Sequence, residues 1–159
     1  MSAERNEDRE IAITREFDAP RELVWDAWTQ PQHVAQWWGP IGFTNTIHEM
    51  AVKPGGVWRL TMHGPDGKDW PNKIVFREVV RPEYLAYDHS GDSEDDKLHF
   101  YVTVKFEDLG GKTRLTMRMQ FDTAEERQQV IDENGALEGA NQTLGRLRDY
   151  LTTMEASHV

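Results

Sequence analysis

Apolar residues recur along the chain at two alternating periods, and the switches between them mark out the elements. Ile11, Ile13 and Phe17 alternate with polar neighbours and predict a first strand, closed by Asp18-Ala19-Pro20. The period then lengthens. Leu23, Val24, Ala27 and Trp28 share one helical face, behind a proline whose missing N–H costs nothing at a helix start. Thr29-Gln30-Pro31 ends that helix and opens a second short one, in which Val34, Trp37 and Trp38 carry the stripe to the break at Gly39-Pro40. Period two returns from Phe43 to Val52, and Lys53-Pro54-Gly55-Gly56 turns the chain into a strand over Val57 to His63. There Trp58, Leu60 and Met62 face one side and Arg59, Thr61 and His63 the other. Gly64-Pro65-Asp66-Gly67 predicts a hairpin turn, and strands over 73–81 and 84–89 follow, separated by Arg81-Pro82-Glu83.

After a hydrophilic, mostly acidic loop over Ser90 to Asp96, two strands alternate without interruption. The first carries Leu98, Phe100, Val102, Val104 and Phe106; the second, beyond Gly110-Gly111, carries Leu115, Met117, Met119 and Phe121. A short acidic helix from Thr123 to about Glu133 is broken at Asn134-Gly135. Leu137, Ala140, Leu144, Leu147, Leu151 and Met154 then recur at spacings of three and four, which predicts one long amphipathic helix. Burying that stripe gains on the order of 10 kcal/mol before entropy, against roughly 1 kcal/mol each for Gly139 and Gly145 in helix propensity. Those glycines either admit a close neighbour, sheet or ligand, or sit harmlessly toward solvent. Strand, two short helices, a meander of six strands and a long helix make an α+β domain. Its curved antiparallel sheet of about seven strands needs a cover on its apolar side, and the last helix supplies it.

Composition narrows the function classes. The 159 residues are the size of one domain, expected over 10–154 with a short charged leader over 1–9 and a tail over 155–159. A formal net charge of -10 argues against nucleic acid and anionic membrane surfaces as partners. Arg114, Arg118, Arg146 and Arg148 read as solvated face residues rather than a basic stripe. The absence of cysteine removes thiolate chemistry and disulfides. With no signal-peptide pattern and no long apolar run, a soluble cytoplasmic protein is expected, as a monomer or homodimer.

Four of the six tryptophans fall between Trp25 and Trp38, which marks the heart of a core or the wall of a ligand cavity. The order of elements resembles the helix-grip, START-like fold. Phe17-Asp-Ala-Pro20, Trp28-Thr-Gln-Pro31, Trp37-Trp-Gly-Pro40, Pro54-Gly-Gly56, Gly64-Pro-Asp-Gly67, Glu78-Val79, Leu115-Thr-Met and Glu138-Gly139 with Leu144 and Leu147 carry the resemblance further. They are similar to the homology domain of the activator of the heat-shock-protein 90 ATPase, within the START and polyketide-cyclase superfamily. The resemblance covers residues 10 to 154. It implies an internal cavity between sheet and last helix, and binding of a small hydrophobic or aromatic molecule. Its alternatives are a stress-response, co-chaperone-like interaction with a chaperone ATPase, in which an exposed Trp70 and the acidic segments would meet the partner, and a cyclase or dehydratase. Relatives commonly place a tryptophan where this chain has Ala140, so the space is either enlarged or refilled by another ring.

The expected lining follows from strand and helix faces. Trp58, Leu60, Met62 and Phe76 belong to one part of the sheet; Phe100, Val102, Met117 and Met119 to the other. Trp37, Trp38 and Phe43 are expected at the mouth, with Trp25 and Trp28 structural. Ala140, Leu144 and Leu147 face the cavity from the helix. A wholly filled core would show the same pattern. If Leu85 points inward, so do Tyr87 and His89, while Asp88 points out; His89, Tyr87 and Glu78 are then the candidates for acid–base chemistry, with His48 a further titratable group. A satisfied histidine of core or rim is the simpler reading. No metal-ligand spacing, phosphate loop, dinucleotide fingerprint or nucleophile elbow is present, so no metal and no cofactor is expected.

Overall fold

The computed structural model describes residues 9–91, 99–134 and 136–157. Most of the predicted leader, most of the acidic loop over Ser90 to Asp96 and the end of the tail lie outside the described residues. The elements run β1 (Glu10–Phe17), α1 (Arg21–Thr29), α2 (Pro31–Trp37), β2 (Thr44–Met50), β3 (Val57–His63), β4 (Asp69–Val80), β5 (Tyr84–Gly91), β6 (His99–Asp108), β7 (Thr113–Gln120), α3 (Ala124–Asn134) and α4 (Ala136–Ser157). All seven strands form one antiparallel sheet in the order β1-β7-β6-β5-β4-β3-β2. The α+β, helix-grip architecture is therefore the observed one: a meander whose first strand closes beside its last, with α1, α2 and α4 packed together against one face.

One boundary moves. The strand predicted from Lys73 begins at Asp69, because the Gly64–Gly67 turn lets pairing start at once, His63 opposite Asp69. Pro71 falls inside the strand without breaking it. It pairs with Thr61 of β3, while pairing of β4 with β5 starts only at Asn72, so the proline's bare nitrogen faces no neighbour that requires a donor. A bulge between Phe76 and Glu78 then shifts the register of β4 against β5.

The tryptophans hold the two short helices to the sheet. Trp28 packs edge-on against Trp37, Trp38 and Phe106, and Trp38 continues the contact to Trp58, with ring centroids 4.9 to 6.0 Å apart. Each such pair adds about 0.5–1.5 kcal/mol to the area it buries. The Trp37 indole donates to the Ala27 carbonyl, tying α2 to α1. At the other end of the sheet the fully buried Thr113 hydroxyl donates to the Ala19 carbonyl and fastens the β1–α1 corner to β7. No helix among the described residues is long and apolar enough to cross a membrane.

Candidate functional site

Along α4, Leu144, Leu147, Leu151 and Met154 are all buried, and the stripe continues toward the helix N-terminus through Ala140 and Gly139. Among the described residues at that end, the inner face carries the small Gly139 and Ala140. The sheet opposite does not close on them, and a half-open cavity of about 200 Å3 remains. Met62, Phe100, Met117 and Met119 line it from the sheet, Trp28 and Trp38 from the short helices, Gly139, Ala140, Thr143 and Leu144 from α4. Gly39 and Pro40 form the rim. Gly39 holds φ at +93°, and a Cβ there would meet the Met62 methyl at 2.8 Å, so the rim passes over β3 only as glycine. Neither helix glycine is required by a close neighbour: a Cβ on Gly139 would lie 3.4 Å from the Pro40 ring and one on Gly145 3.6 Å from the Arg15 guanidinium, both ordinary contacts.

The structure thus brings Trp38, Met62, His89, Phe100, Met117, Met119, Ala140 and Leu144 together around one space, as expected from the faces. Trp37, Trp58, Leu60, Phe76, Tyr87, Val102 and Leu147 are placed instead in solid core, none of them more than 1% exposed. Phe43 is half-buried against Gly39 and Gly64. The division expected among the tryptophans is corrected as well. Trp25 and Trp37 are structural; Trp28 and Trp38 reach the cavity. Trp38 has already left the helix, with extended backbone at φ -66° and ψ 135°, so its ring turns to the sheet while Trp37 stays on the α1 side. The space at Ala140 is shared between cavity and Trp28 and Trp38, rather than filled by either ring.

Arg146 is the residue that sequence reasoning missed. Half-buried rather than solvated, it donates from one guanidinium nitrogen to the carbonyls of Trp38, Gly39 and Pro40 at 2.9–3.1 Å, and from the other to that of Gln36 at 3.2 Å. These include carbonyls left over at the end of α2, which a planar fork of donors suits. Burial pulls the Arg146 pKa below its usual value. Gln142 accepts from the Ile41 amide and the Asn45 amide donates to the Ala35 and Trp38 carbonyls, so the rim is fastened from both sides. Nothing in an isolated "Gly-Arg-Leu-Arg" distinguishes this arginine from the exposed Arg148 two residues on.

The acid–base candidates do not converge. Glu78 is exposed, at the bulge, where its charge raises the pKa values of Tyr84 and Tyr101 after the larger effect of burial. Tyr87 is sealed; its hydroxyl lies against the Trp28 indole but has no hydrogen-bond partner among the described residues, and burial drives its pKa up. Asp88 points away from the cavity and pairs with Arg77 and His99. His48 is exposed and hydrogen-bonds the Thr61 hydroxyl at 2.8 Å. His89 alone of this group lines the cavity. Its ring lies 4.8 Å from Phe100 and 6.5 Å from Trp38, its Nε2 is 2.9 Å from Asn72 Oδ1, and desolvation, with a smaller contribution from His99, lowers its pKa to about 4. Among the described residues no group of three His, Asp or Glu is arranged to hold a metal ion. Trp70 is half exposed on β4.

Comparison with known proteins places this geometry. A family model described as "Activator of Hsp90 ATPase homolog 1-like protein" matches residues 18–152. A protein from Arthrobacter aurescens, solved by NMR in solution, is 28% identical and superposes with a TM-score of 0.86 over 95% of this chain and 90% of its own. Protein Ms6760 from Mycobacterium smegmatis is 27% identical, with a TM-score of 0.85 and 96% of each chain covered. The AHSA1 protein from Silicibacter pomeroyi, at 18% identity and a TM-score of 0.76 over 91% of this chain and 99% of its own, shares the fold. No curated protein matches the chain.

Proposed function

The chain belongs to the Activator of Hsp90 ATPase homolog 1-like family, and from that premise we propose that it binds a small, flat apolar molecule in the cavity under the N-terminal half of α4. The observation that carries the reading is the lining itself. Two indoles, a phenyl ring and three methionines surround a space of about 200 Å3, and none of the described lining residues is charged. Rings present flat apolar walls, and thioethers are flexible and polarizable enough to close around different ligands. A wall of this kind at a half-open mouth rewards displacement of poorly held water by an apolar solute.

The test is a thermal-shift and calorimetric titration with naphthalene-sized aromatic compounds. A ligand that binds only the folded chain raises the melting temperature by mass action. The same compounds should fail to stabilise an Ala140→Phe variant, whose added ring occupies the space. If none shifts the wild-type transition, or if the variant responds equally, the ligand does not lie in this cavity.

A further inference from the structure

The cavity holds one polar atom whose role in the fold is left open. Asn72 donates from its amide nitrogen to the Trp70 carbonyl at 2.8 Å, which orients the amide so that Oδ1 faces His89. An amide oxygen only accepts, so the His89 Nε2 carries the proton and donates to it, and Nδ1 is left with a bare lone pair. That Nδ1 has no hydrogen-bond partner among the described residues, yet it is not one of the sealed polar atoms such as Trp28 Nε1 and Tyr87 Oη. In a ring that lines the cavity, it is open to whatever enters. The other polar side chain of the lining, Thr143, already donates its hydroxyl proton to the Gly139 carbonyl at 2.8 Å and retains only accepting capacity. Among the described residues the accessible polar atoms of the site therefore accept, and Arg146, which reaches the rim at Gly39 and Pro40, is held by four carbonyls.

Resting on the binding reading above, we infer that His89 selects within the class: the cavity takes a flat apolar molecule bearing one uncharged hydroxyl, which donates to His89 Nδ1. A ligand lacking the donor loses that bond and leaves the nitrogen desolvated. A carboxylate is rejected, because it would bring a charge against two acceptors where the described lining residues include no cation to pair it. The neutral state of the imidazole at physiological pH agrees with this, since its lowered pKa keeps the lone pair available.

Three probes on one ring system separate the possibilities: naphthol, its methyl ether and naphthoate, titrated calorimetrically into the wild type and into His89→Phe. The wild type should bind naphthol about fivefold to tenfold more tightly than the ether, the worth of one net hydrogen bond, and naphthoate most weakly. In His89→Phe the ether should retain its affinity and the preference for naphthol should vanish. Binding of the ether checks that the cavity takes aromatic molecules at all, so failure of that reading, in which no probe binds, is distinguishable and removes this inference with it. Equal binding of naphthol and ether by the wild type, survival of the preference in His89→Phe, or tightest binding of naphthoate overturns the selection by His89 alone. Where the variant does not fold, nitrogen NMR of histidine-labelled wild-type protein decides. The Nδ1 resonance should move on addition of naphthol and stay on addition of the ether; no movement with naphthol overturns the inference.

Discussion

At the scale of single residues, Tyr87 and His89 sit two positions apart on one strand, both face inward, and they behave differently because of what each side chain meets. Among the described residues Tyr87 meets an indole and no acceptor, so its hydroxyl is buried without a partner. Removing such a group returns its desolvation cost, and Tyr87→Phe should stabilise the fold by about 1 kcal/mol, read as a rise in the urea midpoint with an unchanged slope. A fall in stability would mean that the hydroxyl has a partner after all. His89 has a partner for one nitrogen but a costly environment for a charge. Its folded pKa of about 4 lies below the ordinary 6.5, so the unfolded chain takes up the proton first as pH falls. The sign follows: the contribution is full above about pH 6.5 and is lost as pH falls toward 4, on the order of 3 kcal/mol in all, most of it by pH 5. Urea unfolding at pH 7 and pH 5 should show this loss in the wild type and a smaller one in His89→Phe. Identical pH profiles would assign the effect to other groups.

At the scale of elements, the rim depends on a side chain from the opposite end of the sequence. Arg146 joins α4 to the end of α2 through Gln36, Trp38, Gly39 and Pro40. Arg146→Ala strands those carbonyls and should cost about 2–4 kcal/mol. Arg146→Lys, which keeps the charge but not the planar fork, should recover only part of it. Hydrogen exchange should then report where the loss falls: the amides of Trp38, whose proton goes to Val34, and of Ile41, whose proton goes to Gln142, should exchange faster, while those of β6 and β7 keep their order of protection. Uniform acceleration across the sheet would show that Arg146 supports the whole fold rather than the rim.

For the molecule as a whole, the cavity is a place where packing stops short. The sheet and α4 interlock over Leu144, Leu147 and Leu151 and part over Ala140. A half-open apolar space of this kind is a stability deficit that a larger side chain can reduce, provided its ring finds an unstrained rotamer. Ala140→Phe, introduced above to block ligands, should therefore raise the melting temperature of the ligand-free protein by a few degrees, about 1 kcal/mol, while ending the response to aromatic compounds. Gain of stability with loss of binding is the pattern expected where space is kept for a ligand. Loss of both would show that the ring does not fit.

The element order, the antiparallel meander, the amphipathic α4 and the face of nearly every strand residue were determined by the sequence itself, because period and turn chemistry are local properties of a chain. Half the expected lining came from the same rule, Met62, Phe100, Met117 and Met119 among it. Which inward residues meet empty space and which meet each other was decided only by tertiary structure. Trp58, Tyr87 and Val102 share a face with the lining residues, yet all three are fully buried, Trp58 against Trp38 and Tyr87 against Trp28. Arg146 and Arg148 are two residues apart and indistinguishable by composition, but a helix points them about 200° apart, one into a set of carbonyls brought from a hundred residues away. The bare lone pair of His89 depends on Asn72 and, through it, on the Trp70 carbonyl. Such juxtapositions arise from register and from the meeting of distant elements, and no period along the chain encodes them.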